Sequence, residues 1–367
     1  MSTLLQQVFL QHGQSPWLDN LQRSFLTDGT LKQLVDSGVR GLTSNPTIFQ
    51  KAIQGSSDYD EQFEREIKKG LSPIEAYWEM VLADINGALD VFEHLYRQSD
   101  GNDGFVSVEV NPSLATHGEE TLNAARSLHD RIDRPNVMIK IPATQEGLPA
   151  IQAMISEGRS VNVTLIFSLQ RYSDVIDAYI MGLEERLSAG LDISRVRSVA
   201  SFFISRVDNV IDAQLDSLGT EESARLKGTA AISQAKMAYA LFQEKFSGDR
   251  WKKLENAGAH VQRPLWASTS TKNPSYPDTL YVDSLIGPNT VNTLPDATLK
   301  AFADHGVIAR TIDADIEQAR VNWASLQALG IDVDEVARTL EHEGVASFMK
   351  SFDELLDALR DKASSIS

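Results

Sequence analysis

Short apolar runs alternate with longer stretches of helical period from the start of the chain to about residue 290. That alternation predicts a parallel sheet with crossover helices. Eight runs read as strands: residues 16–20, 39–45, 105–111, 137–143, 161–168, 196–205, 264–269 and 281–286. Between the fifth and sixth, residues 169–189 place Val175, Ile176, Tyr179, Ile180, Leu183 and Leu187 on one helical face. Residues 48–98 exceed one crossover and predict two helices broken near Gly70-Leu71-Ser72-Pro73, while 208–256 should hold at least two more. From about Pro295 the tail reads as helix throughout, with Phe348, Phe352, Leu355, Leu356 and Leu359 as an apolar stripe.

Side-chain parity separates the two architectures that eight strand–helix units allow. A doubly wound sheet packs under helices on both faces, so its strands should be apolar on both parities. Here one parity is polar. Val106, Val108 and Val110 oppose Ser107, Glu109 and Asn111; Val161, Val163, Leu165 and Phe167 oppose Asn162, Thr164, Ile166 and Ser168. An apolar outer face around a polar inner one predicts an α/β fold of the (β/α)8 TIM-barrel type, with a reaction site at the carboxyl ends of the strands. Extra helices are inserted between strands and added at the C-terminus, and no linker divides the chain, so residues 1–367 are expected to form a single catalytic domain. No Gly-x-Gly-x-x-Gly or Walker pattern follows a strand, which removes the main support for dinucleotide or P-loop readings.

The inward parity carries the candidate chemistry: Asp19, Thr43 and Asn45, Glu109, Lys140, Asn162 and Thr164, and Ser201 with Arg206 at the strand end. Lys140 stands out because it interrupts the apolar run Val137-Met138-Ile139-Lys140-Ile141-Pro142-Ala143. Lysine is almost never buried without a partner, and desolvation favours its neutral, nucleophilic amine. Such amines attack carbonyl carbons to form Schiff bases. Taken alone, the lysine could equally snorkel to the strand end or pair with a carboxylate. Asn45 could be a turn residue, Asp19 a helix N-cap and Thr164 a strand former. Together they are harder to explain structurally, since unsatisfied polar groups inside a barrel cost roughly 1–3 kcal/mol each. An amine, two carboxylates and neutral donors are the groups that a Schiff-base retro-aldol reaction needs.

Composition narrows the partners. The formal net charge is −17 with no dense basic stripe, which argues against nucleic acid or an anionic membrane as a partner. There are no cysteines, and seven scattered histidines form no i,i+4 pair, so neither a thiolate site nor a metal cluster is expected. No leader pattern and no run near 18 apolar residues is present, so a soluble, cytoplasmic protein is expected. Asn162-Val163-Thr164 spells a glycosylation sequon but lies in an apolar run where a glycan has no room.

Three motifs, in order, carry a family likeness. Thr43-Ser44-Asn45-Pro46-Thr47 resembles the T-[ST]-N-P signature of transaldolases, residues 137–143 resemble their Schiff-base strand, and Asn162-Val163-Thr164-Leu165-Ile166-Phe167-Ser168 is similar to their N-x-T-L-[IL]-F-S strand. The likeness spans essentially the whole chain and matches the longer bacterial form. It implies that Lys140 forms the imine with a ketose phosphate, that Glu109 works through a water held with Thr164, and that Asp19 acts on the hydroxyl at the cleaved bond. Asn45, Asn162 and Ser201 would hold the dihydroxyacetone unit and Arg206 with Ser268 the phosphate, with Thr43 and Phe203 also expected to bind substrate. The reaction implied is dihydroxyacetone transfer from sedoheptulose 7-phosphate to glyceraldehyde 3-phosphate, without cofactor or metal, by a monomer or homodimer.

One position departs from the pattern. Many members carry a second phosphate-binding arginine after the seventh strand, where this chain reads Ala267-Ser268-Thr269-Ser270-Thr271-Lys272-Asn273, leaving Lys272 as the candidate cation. Two other readings stand beside transfer: an aldolase that releases dihydroxyacetone to water, and a sugar-phosphate sensor. Phe203 favours transfer by resemblance, because aldolase relatives often carry tyrosine nearby. The sensor predicts loss of Lys140, Glu109 or Asp19, and all three are present.

Overall fold

In the computed structural model, which describes residues 2–366, eight parallel strands close in chain order. They are Gln14–Leu18 (β1), Gly41–Thr43 (β2), Phe105–Glu109 (β3), Val137–Pro142 (β4), Val161–Ile166 (β5), Ser198–Phe203 (β6), Arg263–Ala267 (β7) and Thr290–Leu294 (β8). β8 pairs back onto β1 from Gln14↔Thr290 to Leu18↔Leu294, so no sheet edge is left open. The fold is the expected TIM barrel with added helices. Residues 48–98 contain three helices rather than two, Pro46–Gln54, Asp60–Lys68 and Pro73–Gln98, and the break at Gly70 stands where expected. Ser72 starts the last of them with a capping box: its hydroxyl accepts from Glu75 N while Glu75 reaches back to Ser72 N. No helix among the described residues is long and apolar enough to cross a membrane.

The eighth strand is not where the apolar run placed it. Leu280–Asp283 is a short helix, and the strand follows at Thr290–Leu294. Tyr281, Val282, Leu285 and Ile286 are all buried, at a spacing of one helical face that also reads as a short apolar strand. β8 itself offers few large apolar side chains, and its Thr293 faces the barrel mouth.

β5 holds a second correction. Leu165 has φ 61°, and the pairing with β6 slips between Val163 and Ile166. This β-bulge reverses the parity beyond it. Leu165 and Phe167 therefore pack against Gly344 of the C-terminal helix over the mouth, whereas they were expected beneath the outer helices. Ile166 pairs with Phe202, whose ring meets Tyr172 of the outer helix Leu169–Ser188. A leucine in the left-handed region costs of order 1–3 kcal/mol and persists only where its surroundings hold it; here it bends the strand at the site.

The barrel interior is filled from below by Trp17, whose ring lies over Gly41. A Cβ on Gly41 would fall 2.4 Å from Trp17 Cε2 and 2.6 Å from Cδ2, and the ring is wholly buried. Gly41→Ala is therefore expected to lower stability by about 1–3 kcal/mol through overpacking. Urea unfolding checks this: the midpoint should fall with the slope unchanged, and an unmoved midpoint would mean the ring can shift freely.

The C-terminal helix Val333–Ile366 crosses the carboxyl ends of the strands. Phe348, Phe352, Leu355, Leu356 and Leu359 are all buried, and burial of side chains this size is worth about 1.5–3 kcal/mol each. Phe352 meets Tyr77 edge-on at 5.4 Å, Thr47 and Ser351 hydroxyls are 2.8 Å apart, and Gln50 Nε2 donates to Glu354 at 2.8 Å. The apolar stripe thus clamps a roof over the mouth.

Candidate active site

β3, β4 and β5 bring Glu109, Lys140 and Asn162 into one row, since Glu109 is in register with Lys140 and Lys140 with Asn162. Lys140 is 4% exposed. Its Nζ donates to the Ser44 carbonyl at 3.3 Å and lies 3.1 Å from Glu109 Oε2, close enough for an ion pair but bent away from hydrogen-bond geometry. Both Glu109 oxygens and Thr164 Oγ1 are buried without a hydrogen bond from the protein. Such groups cost free energy, and in native proteins they mark places where another molecule bonds. Burial pushes the Glu109 carboxyl above its ordinary range, and the Lys140 ammonium opposes it.

Across the mouth, Asp19 follows β1 directly, its backbone N–H bonding the Leu294 carbonyl at 2.9 Å. Thr43 Oγ1 donates to Asp19 Oδ1 at 2.7 Å and accepts from Thr293 Oγ1 at 2.6 Å, which fixes the carboxylate. Desolvation raises the Asp19 carboxyl, while Lys140 and the Thr43 hydrogen bond pull it down. The charge of the one ammonium thus pulls both carboxyls down against their burial. On the other side Ser201 Oγ donates to Asn162 Oδ1 at 2.7 Å, and Asn162 Nδ2 donates to Ser107 Oγ at 3.0 Å. Asn162 is fully buried in β5, as expected for a sequon that can carry no glycan.

Asp19, Thr43, Asn45, Lys140, Thr164, Ser201, Phe203, Arg206, Ser268 and Lys272 all line one cavity of about 350 Å3 at this mouth. Glu109 and Asn162 do not line it; they stand in register with Lys140 on the neighbouring strands, and Glu109 borders a separate small cleft with Asn45, Tyr77 and Phe352. Asn45 also fulfils its plainer role: Oδ1 accepts from Ile48 N at 2.9 Å and caps the helix Pro46–Gln54, with Pro46 at its first turn. Asp19 caps no helix.

The cationic end of the cavity is formed by the β6 and β7 loops. Arg206 lies in the first turn of the helix Ser205–Leu218, not at a strand end, with its guanidinium 5.3 Å from the Phe203 ring centroid. No hydrogen bond or ion pair holds that guanidinium among the described residues, and burial lowers its proton affinity. Ser268, at φ 56°, accepts at its carbonyl from Ser205 N at 3.0 Å, and the two hydroxyls are 2.9 Å apart. Lys272 Nζ donates to Ser270 Oγ at 2.7 Å. Phe203 packs 5.0 Å from Phe167, giving this side of the cavity an aromatic surface without a hydroxyl.

Sequence reasoning missed several lining residues, among them Lys51, Thr293, Ser347 and Phe348. Lys51 is an exposed helix lysine one turn beyond the Asn45 cap, and nothing local distinguishes it. Thr293 lies in the misplaced eighth strand. Ser347 and Phe348 come from the roof helix, and the Phe348 ring centroid is 5.6 Å from Lys140 Nζ. Phe348 belonged to a visible apolar stripe, but what that stripe covered was not visible.

Comparison with known proteins agrees with this geometry. The family description "Transaldolase/Fructose-6-phosphate aldolase" matches residues 16–359. A protein named "Transaldolase" from Parafrankia sp. (strain EAN1pec) is 51% identical over 355 residues, covering 96% of this chain and 96% of that protein. "Transaldolase 1" of Streptomyces avermitilis is 50% identical over 349 residues, covering 95% and 92%. "Transaldolase" of Thermobifida fusca is 50% identical over 347 residues, covering 94% of each. A barrel with its lysine on the fourth strand, and a match that runs from β1 into the roof helix, place this chain in the transaldolase/fructose-6-phosphate aldolase family.

Proposed function

We propose that the chain is a transaldolase that moves a dihydroxyacetone unit from sedoheptulose 7-phosphate to glyceraldehyde 3-phosphate, giving erythrose 4-phosphate and fructose 6-phosphate. The observation that carries this reading is the Lys140 amine, buried at the mouth with Glu109 in contact and Asp19 lining the same cavity. Lys140 gives up its ammonium proton to Glu109, and the freed amine attacks the ketose C2 carbonyl and forms a carbinolamine. Glu109 and the Thr164 hydroxyl, neither hydrogen-bonded within the protein, hold the water through which protons reach the departing hydroxyl. Loss of water leaves a protonated imine. Asp19 then takes the proton of the C4 hydroxyl, the C3–C4 bond breaks, and its electron pair flows into the imine to give an enamine and the first aldehyde. Attack of the enamine on the acceptor aldehyde forms the new bond, with Asp19 returning its proton. Hydrolysis frees the product.

Asn45, Asn162, Ser201 and Thr43 orient the three-carbon unit. Arg206 and Ser268 take the phosphate near a helix N-terminus, where the backbone dipoles favour an anion. Lys272 supplies the second cation in place of arginine, with Lys51 lining the same cavity. This reading implies one catalytic domain working in cytoplasmic pentose phosphate metabolism.

Release of dihydroxyacetone to water is the nearest competitor. It needs a proton delivered to C3 of the enamine before the imine is hydrolysed, and the Phe203–Phe167 ring pair offers no hydroxyl to deliver it. With fructose 6-phosphate as donor, turnover should depend on added erythrose 4-phosphate, and sedoheptulose 7-phosphate should accumulate. Equal rates of dihydroxyacetone release with and without the acceptor would assign the aldolase activity instead.

A further inference from the structure

A second, larger cavity of about 770 Å3 lies at the opposite, amino-terminal end of the strands, and three arginines line it: Arg40, Arg197 and Arg263. One buried carboxylate serves two of them. Asp103 receives Arg40 Nε at 2.7 Å and Arg263 Nη1 at 3.2 Å, and Arg263 also bonds Ser15 Oγ at 3.0 Å. Arg197 has no carboxylate bond. Its Nη1 donates to the Ser194 and Val196 carbonyls at 2.6 and 3.2 Å and its Nη2 to the Asp100 carbonyl at 3.3 Å, while its Nε is buried without a partner. The residue is 6% exposed. The nearby Asp100 carboxylate is on the surface, paired with Arg195 at 3.4 Å.

Three guanidiniums against Asp103 leave an excess of two positive charges around this cavity, in a chain whose formal net charge is −17. The excess is felt locally. Burial and the neighbouring Arg197 and Arg263 lower the proton affinity of His260, which lines the same cavity, against the pull of Asp100. In a barrel of this kind the amino-terminal face ordinarily serves stability. A buried charge without a carboxylate works against stability, whereas guanidinium forks match the geometry of phosphate and carboxylate oxygens.

We propose that the cavity formed by Arg40, Arg197 and Arg263 beneath the barrel binds a dianionic oxyanion, a phosphate group either free or on a small metabolite, at a site separate from the catalytic mouth. The charge excess sets the valence, and the Arg40 Nη1 and Nη2 groups, which make no hydrogen bond among the described residues, are donors that the ligand would satisfy. Because the two ends of the barrel are joined by the strands that carry Lys140 and Asn162, such a ligand would stabilise the whole barrel by mass action.

Calorimetric titration of the full chain tests this. The Arg206→Met variant serves as the starting protein, so that phosphate at the mouth does not contribute. Inorganic phosphate should bind it saturably with one site. Adding Arg197→Met, or His260→Glu, which places a carboxylate beside Arg197 and Arg263 without removing an arginine, should weaken binding at least about tenfold. Tighter binding of glycerol 3-phosphate than of inorganic phosphate would assign a phosphorylated metabolite, and equal binding would assign free phosphate. Absence of saturable binding, or binding unchanged by His260→Glu in protein of native circular dichroism, would overturn the proposal and leave the arginines as ties between loops.

Discussion

Lys140→Met is expected to reduce kcat by on the order of 10^4- to 10^6-fold, the scale seen when a covalent nucleophile is removed. Methionine keeps an unbranched stem in a slot where the lysine is 4% exposed, so the fold should survive. Its stability should acquire a new pH dependence. Without the ammonium, nothing opposes the burial that already raises the Glu109 carboxyl. A carboxyl whose folded pKa is raised favours the folded state fully below the unfolded pKa, and that contribution is lost as pH rises through the folded value. The variant should therefore lose stability towards alkaline pH more steeply than the parent. Circular dichroism and urea unfolding at several pH values check this, beside the kinetics. Turnover near the parental rate would eliminate imine catalysis at this residue.

Glu109→Gln should give the next largest loss, about 10^2- to 10^4-fold in kcat, the usual contribution of a general acid–base group. Its pH profile carries more information than its size. In the parent, activity should fall as pH falls through the raised pKa of Glu109, because a protonated carboxyl cannot accept the proton released when the amine adds to the carbonyl or when water attacks the imine. That limb should sit above the ordinary carboxylate value of about 4.3. Glutamine cannot titrate, so the limb owed to this group should vanish, leaving the one set by Asp19, which burial also raises. A parental rate and an unchanged limb in Glu109→Gln would remove Glu109 from the chemistry.

The row of Glu109, Lys140 and Asn162 was legible because a charge inside an apolar strand is a conflict that only function or pairing resolves, and the structure pairs Lys140 with Glu109. Polar residues on one parity of several strands gave the closed barrel for the same reason: a buried face that is not apolar has to enclose something. Two features escaped for physical reasons. Tyr281, Val282, Leu285 and Ile286 fit one face of a short helix as well as a buried strand, and β8 is rich in threonine, whose β-branching fits a strand without an apolar signal. The bulge at Leu165 rests on a positive φ that no glycine announces, so the parity of Ile166 and Phe167 could be known only from the pairing with β6. Distance explains the rest. Phe348 reaches Lys140 from the far end of the chain, and only the packed roof helix brings the two together.

Borohydride reduction in the presence of fructose 6-phosphate, followed by peptide mass analysis, tests most directly whether the buried amine captures a sugar carbonyl. The expected result is one dihydroxyacetone-derived adduct, on Lys140, with matching loss of activity, and none on Lys140→Met. Full activity after reduction with no adduct at Lys140, or an adduct only on a surface lysine, would contradict it.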